Sequence, residues 1–319
     1  MTKPALTIVA ALLSIALTGC GGFKVDEGSL PPPVVPGFFF ALAFGSNGTG
    51  NGQFRGPTGL AVDLQSRVFV VDTDNNRVQR FSSTGVFQTT FGSAGSGDGR
   101  FQFPQGIAVD SSGFVYVADT NNNRIAKLTA DGVAVPGFTW TVGVAPGTIT
   151  APSRVALDSA GNIYVLDALP RIQKFSPNRV FLRQMGAAGA GNGQFFLPSG
   201  IVVESSGAFY VADSSQNRVQ KLDASGAFVT SFGTVGSGPG QLRAPSYLAL
   251  DRRGNVLVSD SANARVSRFA PQGVYMDSFG GAGSGAGQFV ETVGIGIDPG
   301  GNAYVVDLRG RVQKFLYVP

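Results

Sequence analysis

Residues 116–125 read YVADTNNNRI, with Asp119, Asn121 and Asn123 at alternate positions, and Asp72, Asp74 and Asn76 repeat the pattern. Oxygen ligands at positions 1, 3 and 5 begin a calcium loop, which then needs Gly at position 6 and a bidentate Glu at position 12. Here position 6 is Arg124, a fixed cation, and position 12 is Ala130, or Ser83 in the earlier copy. Something else recurs. Asp72 has counterparts at Asp119, Asp167, Asp213, Asp260 and Asp307, at intervals of 47, 48, 46, 47 and 47 residues. Each is followed by an Arg: Arg77, Arg124, Arg171, Arg218, Arg265 and Arg311. Only the Asp and the Arg persist in all six copies, while the amides between them become Ala, Pro, Gly or Leu. The stretch reads as a repeat signature in which each Asp–Arg pair braces a turn. As exposed pairs, these would contribute about 0–1 kcal/mol each.

Each copy holds four short strand patterns, as in SGIVVE, AFYVAD, RVQKLD and AFVTSFG of the fourth. The links carry type I turn chemistry, with DSSG, DSAG, ESSG, DRRG and DPGG between the first two strands. A further acid ends each first strand, at Asp63, Asp110, Asp158, Glu204, Asp251 and Asp298. Six units of four antiparallel strands predict an all-β, six-bladed β-propeller. The sixth unit stops after three strands. The missing fourth lies at the other end of the chain, in FFFALAFG, where Phe44-Gly45 falls 47 residues before Phe91-Gly92. That N-terminal strand is expected to complete the last blade and close the ring, removing open strand edges.

The pattern FxxPxGIAVDSSGxxYVADxxNNRVQKF resembles the NHL repeat and runs from about residue 38 to the end. Blades three and six depart from it, with Ala-Leu-Pro after Asp167 and Leu-Arg-Gly after Asp307. The chain has no His for the Gly-His signature of WD-type propellers.

The N-terminus, MTKPALTIVAALLSIALTGC, joins Lys3 to an apolar run too short to span a bilayer comfortably. Leu17-Thr18-Gly19-Cys20 resembles the bacterial lipobox, which implies cleavage before Cys20 and lipid modification of it. Residues 1–19 are thus read as a lipoprotein signal peptide, 20–37 as a lipid-anchored tether and 38–319 as the propeller. Gly21 rather than Asp after the Cys is compatible with the outer membrane or cell surface. Cys20 is the sole cysteine, so no internal disulfide exists. Without residues 1–19 the chain carries 23 basic and 20 acidic side chains with no basic run, which gives nucleic acid nothing to bind.

The absence of His removes imidazole-dependent triads and most zinc sites. Propellers of related shape include peptide-amidating lyases, streptogramin lyases and calcium-dependent lactonases, the first two dependent on histidines. A carboxylate metal site would rest on Glu291, since Glu27 and Glu204 lie away from the channel mouth and most Asp are used in turns. The glycine-rich runs GSAGSGDG, GTVGSGPG and GAGSGAG precede strands rather than helices, so they read as flexible connections between blades. No catalytic residue, metal or cofactor is assigned. The reading is a monomeric, non-catalytic scaffold for a protein, peptide or envelope glycan, with a calcium-dependent lactonase-like hydrolase or lyase as the alternative. The second-to-third and inter-blade loops share one face of the disc, and departures from the repeat there are the candidate binding residues. At the start of the first strand, Gly59, Gly106, Gly200 and Gly294 give way to Arg154 and Tyr247. Arg55 and Arg243 precede the blade Pro, and Trp140 sits in the irregular VPGFTWTVGVAPG. Arg, Tyr and Trp are enriched at interface hot spots.

Overall fold

The computed structural model describes residues 36–319; the signal segment, Cys20 and most of the tether lie outside them. Blade one is built of Pro57–Val62, Val68–Asp72, Arg77–Phe81 and Phe87–Phe91 in an antiparallel meander, and the later copies repeat this order around a six-bladed propeller. Blade six consists of Thr292–Ile297, Ala303–Asp307 and Arg311–Val318, with Gly37–Phe44 paired antiparallel to the last of these as the outermost strand.

Second strands are buried at every position because a neighbouring blade covers each face. The core is correspondingly six clusters, each bridging two adjacent blades. Phe54, Leu60, Val70 and Phe81 of blade one, for example, pack on Tyr304, Val306 and Val312 of blade six.

Blade two departs from the four-strand expectation. It has Pro104–Val109, Val115–Asp119 and Arg124–Leu128, and its outer edge is reduced to a bridge between Leu128 and Ala134. Pro136 lacks the N–H that a fourth strand would need, and Gly137 turns the chain at φ 68°. Trp140 then fills the gap: its Nε1 donates to Ile125 O at 2.7 Å, and its ring packs edge-on against Phe175 of blade three.

The glycine-rich connections are tied down rather than flexible. Gly48 N donates to Phe54 O at 3.0 Å, Gly52 N to Gln79 Oε1 at 2.8 Å, and Gln79 Nε2 to Gln53 O at 2.6 Å. The buried third-strand glutamines Gln173, Gln220 and Gln313 do the same in blades three, four and six.

Candidate functional site

The loop face is built from the DTNNNR stretch outward. Asp72 is fully buried and accepts Arg55 N at 2.7 Å, Arg77 Nε at 2.6 Å and Asn75 Nδ2 at 2.9 Å. Arg77 Nη2 continues to Gly50 O and Gln53 O in the preceding connection. The pair therefore holds an inter-blade loop as well as its own turn, and its carboxylate is buried. An exposed-pair energy understates what breaking it would cost. Blades two, three, five and six keep the ion pair. Blade four does not: Asp213 is taken by Phe196 N, Leu197 N and Ser215 Oγ, while Arg218 reaches only Gly191 O and Gln194 O. Gln216 stands there in place of the Asn that braces the Asp in blades one, two and five.

The varying amides also have a role. Asn76, Asn123 and Asn217 accept from Phe103 N, Ala151 N and Ala244 N, each in the next blade's entry loop. These amides link blades.

At the channel mouth the six first strands converge. A Cβ on Gly106 would lie 2.7 Å from Ser153 O, and one on Gly200 would lie 2.9 Å from Ser246 O, so the repeat uses Gly where backbones approach. Tyr247, 6% exposed, extends from blade five to blade two, diametrically opposite in a six-membered ring, and donates its hydroxyl to Gln105 O at 3.1 Å. Burial raises its phenol above the ordinary range, with the Arg154 charge opposing. Arg154 of blade three places its guanidinium 4.2 Å from the Tyr247 ring centroid and donates to Ser153 O at 2.8 Å. Beneath this cap, a cavity of about 270 Å³ is lined by the first strands of all six blades, with Ala61, Ala108, Ala156, Val202, Ala249 and Gly296 near its middle.

The structure thus joins two candidates, Arg154 and Tyr247, as the channel cap. Arg55 and Arg243 are exposed on the surrounding face, and Glu291 is half-buried there. Trp140 is elsewhere, on the outer edge of blade two, where it is a packing residue. No group of three or more His, Cys, Asp or Glu able to hold a metal comes together among the described residues. Sequence reasoning missed an apolar set around the same mouth: Phe103, Phe196, Leu197, Val290 and Leu308, 42–58% exposed. Four of them occupy the two positions ahead of the blade Pro or its Thr292 counterpart, and those positions vary freely between copies. Phe103 is also held at φ 53°, a left-handed conformation uncommon for a bulky residue.

The NHL repeat family model matches residues 54–81, 101–128 and 197–222. Protein lin-41 of Caenorhabditis elegans is 48% identical over 46 residues, which is 14% of this chain and 4% of that protein's length. Among solved structures, a gluconolactonase of Xanthomonas campestris aligns with a TM-score of 0.63 at 16% identity, covering 84% of this chain and 88% of that one. Catalytically inactive virginiamycin B lyase of Staphylococcus aureus, solved with quinupristin, aligns at 0.57 and 15% identity over 82% and 80% of the two chains. A Bacteroides thetaiotaomicron protein of unknown function aligns at 0.67 and 18% identity over 86% and 76%. At these identities the likenesses bear on fold alone. The chain is a six-bladed β-propeller carrying NHL repeats.

Proposed function

We propose that this protein is a non-catalytic binding scaffold of the bacterial cell envelope, lipid-anchored through Cys20, whose loop face captures a protein or peptide. The observation that carries the reading is the Tyr247–Arg154 cap. It closes the channel mouth with a phenol bonded across the ring, so a substrate would meet a lid at that mouth. Around the cap, Arg55 and Arg243 alternate with the exposed Phe103, Phe196, Leu197 and Val290. Exposed apolar side chains interspersed with cations suit a polypeptide partner better than a glycan, which would call for exposed Trp or Tyr platforms.

The test is capture from envelope extracts by the full chain and by a Phe196→Ser, Leu197→Ser, Arg243→Glu variant. The expected result is loss of the captured partner with an unchanged melting temperature. Equal capture by both would reject this face. Calcium binding by calorimetry, with lactone turnover abolished in Glu291→Gln, would replace the scaffold reading with a hydrolase.

A further inference from the structure

The opposite face, carrying the first-to-second and third-to-fourth turns, repeats one feature that the fold does not require. In five blades a turn after the third strand is closed by the residue that begins the outer segment: Ser82 N donates to Val86 O, Thr129 N to Val133 O, Ser176 N to Val180 O, Asp223 N to Ala227 O and Ala270 N to Val274 O. Phe39 holds the equivalent place in blade six, 47 residues before Val86. All six are apolar. Phe39 is 47% exposed, and Val86, Val133, Val180 and Val274 are 61–65% exposed. Strand propensity would be served equally by Thr at such positions, so it accounts for branching but not for the lack of polarity.

Six apolar points around the rim of a disc lie near one plane and cannot converge on a small ligand. A flat, extended surface can meet them together. The chain toward Cys20 also leaves from this side. Gly37 pairs with Val318, and the adjacent Tyr317 N donates to Asn302 Oδ1 beside the first turn of blade six. Next to that exit, Arg252, Arg253 and Tyr317, together with Asp251 and Pro319, line a cavity of about 290 Å³. Both arginines are exposed and have no carboxylate within ion-pair distance among the described residues.

We infer that this turn face rests on a lipid bilayer, the apolar rim entering the interface and Arg252 and Arg253 meeting anionic headgroups. The inference uses the lipid-anchor reading of Cys20 for its orientation. The lipid on Cys20 would hold the chain at the bilayer, and contact through this face would add buried apolar area and fix the orientation of the disc. The loop face would then point away from the membrane, toward a partner.

The full-length protein is reconstituted in vesicles containing phosphatidylglycerol, with Val86→Cys, Val274→Cys or, as reference, Leu197→Cys labelled by an environment-sensitive dye. Quenching by lipid-borne nitroxides at 86 and 274, several-fold stronger than at 197, is expected, and Arg252→Glu with Arg253→Glu should weaken it. Equal quenching at all three positions overturns the inference. So does a blue shift at 86 and 274 without lipid quenching and with doubled molecular mass, which would give the rim to a second copy. Mass spectrometry of the Cys20 peptide is read in parallel: a missing lipid refutes the anchor, while the quenching pattern still decides the rim.

Discussion

Ala126 occupies the third-strand position that Gln79, Gln173, Gln220 and Gln313 hold in four other blades. Beside it lies a gap of about 20 Å³ lined by Gly99, Arg124 and Phe138, roughly the space of one water. Ala126→Gln should fill it, with Gly99 N–H donating to the new amide oxygen and Arg100 O accepting from its nitrogen. The expected gain is about 1 kcal/mol in chemical denaturation; a loss would show that blade two cannot receive the side chain. Asp72 makes the opposite case. Asp72→Ala strands Arg77, Arg55 N, Asn75 Nδ2 and Gln79 Nε2, and should cost about 3 kcal/mol or more. Asp213→Ala should cost less, because Arg218 is not paired with Asp213. Equal losses in the two variants would mean that the ion pair adds nothing. The Asp and Arg were readable from their recurrence alone. The linking role of Asn76 and Asn123 was not, because their partners are backbone N–H groups, which leave no mark on sequence.

Turn chemistry made most strands legible, and it failed where a side chain replaced an element. Trp140 stands in for a fourth strand, a substitution that periodicity cannot register. As the only Trp, it reports on that edge directly. Trp140→Ala should cost about 3 kcal/mol, whereas Trp140→Phe should keep most of the packing and lose the bond to Ile125 O. Identical midpoints for the two variants would remove Trp140 from the blade's support. In blades two, three, four and six a second brace ties the acid that ends the first strand to the second or third strand. Tyr210 Oη and Lys221 Nζ each donate to Glu204 at 2.7 Å, and Tyr116 and Tyr304 meet Asp110 and Asp298 at 3.2 and 3.3 Å. Burial pushes the Glu204 carboxyl up, but hydrogen bonds from Lys221, Tyr210 and Ser206 together outweigh it, leaving Glu204 below the ordinary carboxylate range. A depressed folded-state pKa gives stability that is present above the unfolded value and lost as pH falls through the folded one. Melting temperature should therefore decline below about pH 4. Glu204→Gln should melt lower at pH 7 and show a shallower acid decline. A variant with the same acid slope as the parent would assign that decline to other carboxylates.

Across the whole molecule, the architecture was legible because one unit is written six times, whereas the cap was not. Tyr247 and Gln105 are 142 residues apart, and only the ring brings them together. The same geometry bears on how the ring holds. Gly37–Phe44 supplies more than a row of hydrogen bonds to Arg311–Val318. Phe38 stacks on Phe279 of blade five at 4.7 Å between centroids, and Phe44 lies 4.9 Å from Phe81 of blade one. One strand thus touches both neighbours of its blade. Removing residues 38–46 would uncover the backbone edge of an eight-residue strand and open aromatic surface on two further blades. Exposed edges of that length pair with other chains. The truncated protein should therefore form soluble aggregates on size exclusion, with its thermal transition lowered and broadened. Bringing back the deleted segment as a separate peptide should recover monomer, because the strand's partners remain in place. A truncated chain that stayed monomeric, with the parent's melting midpoint, would mean that the other five blades and three strands hold the ring without it.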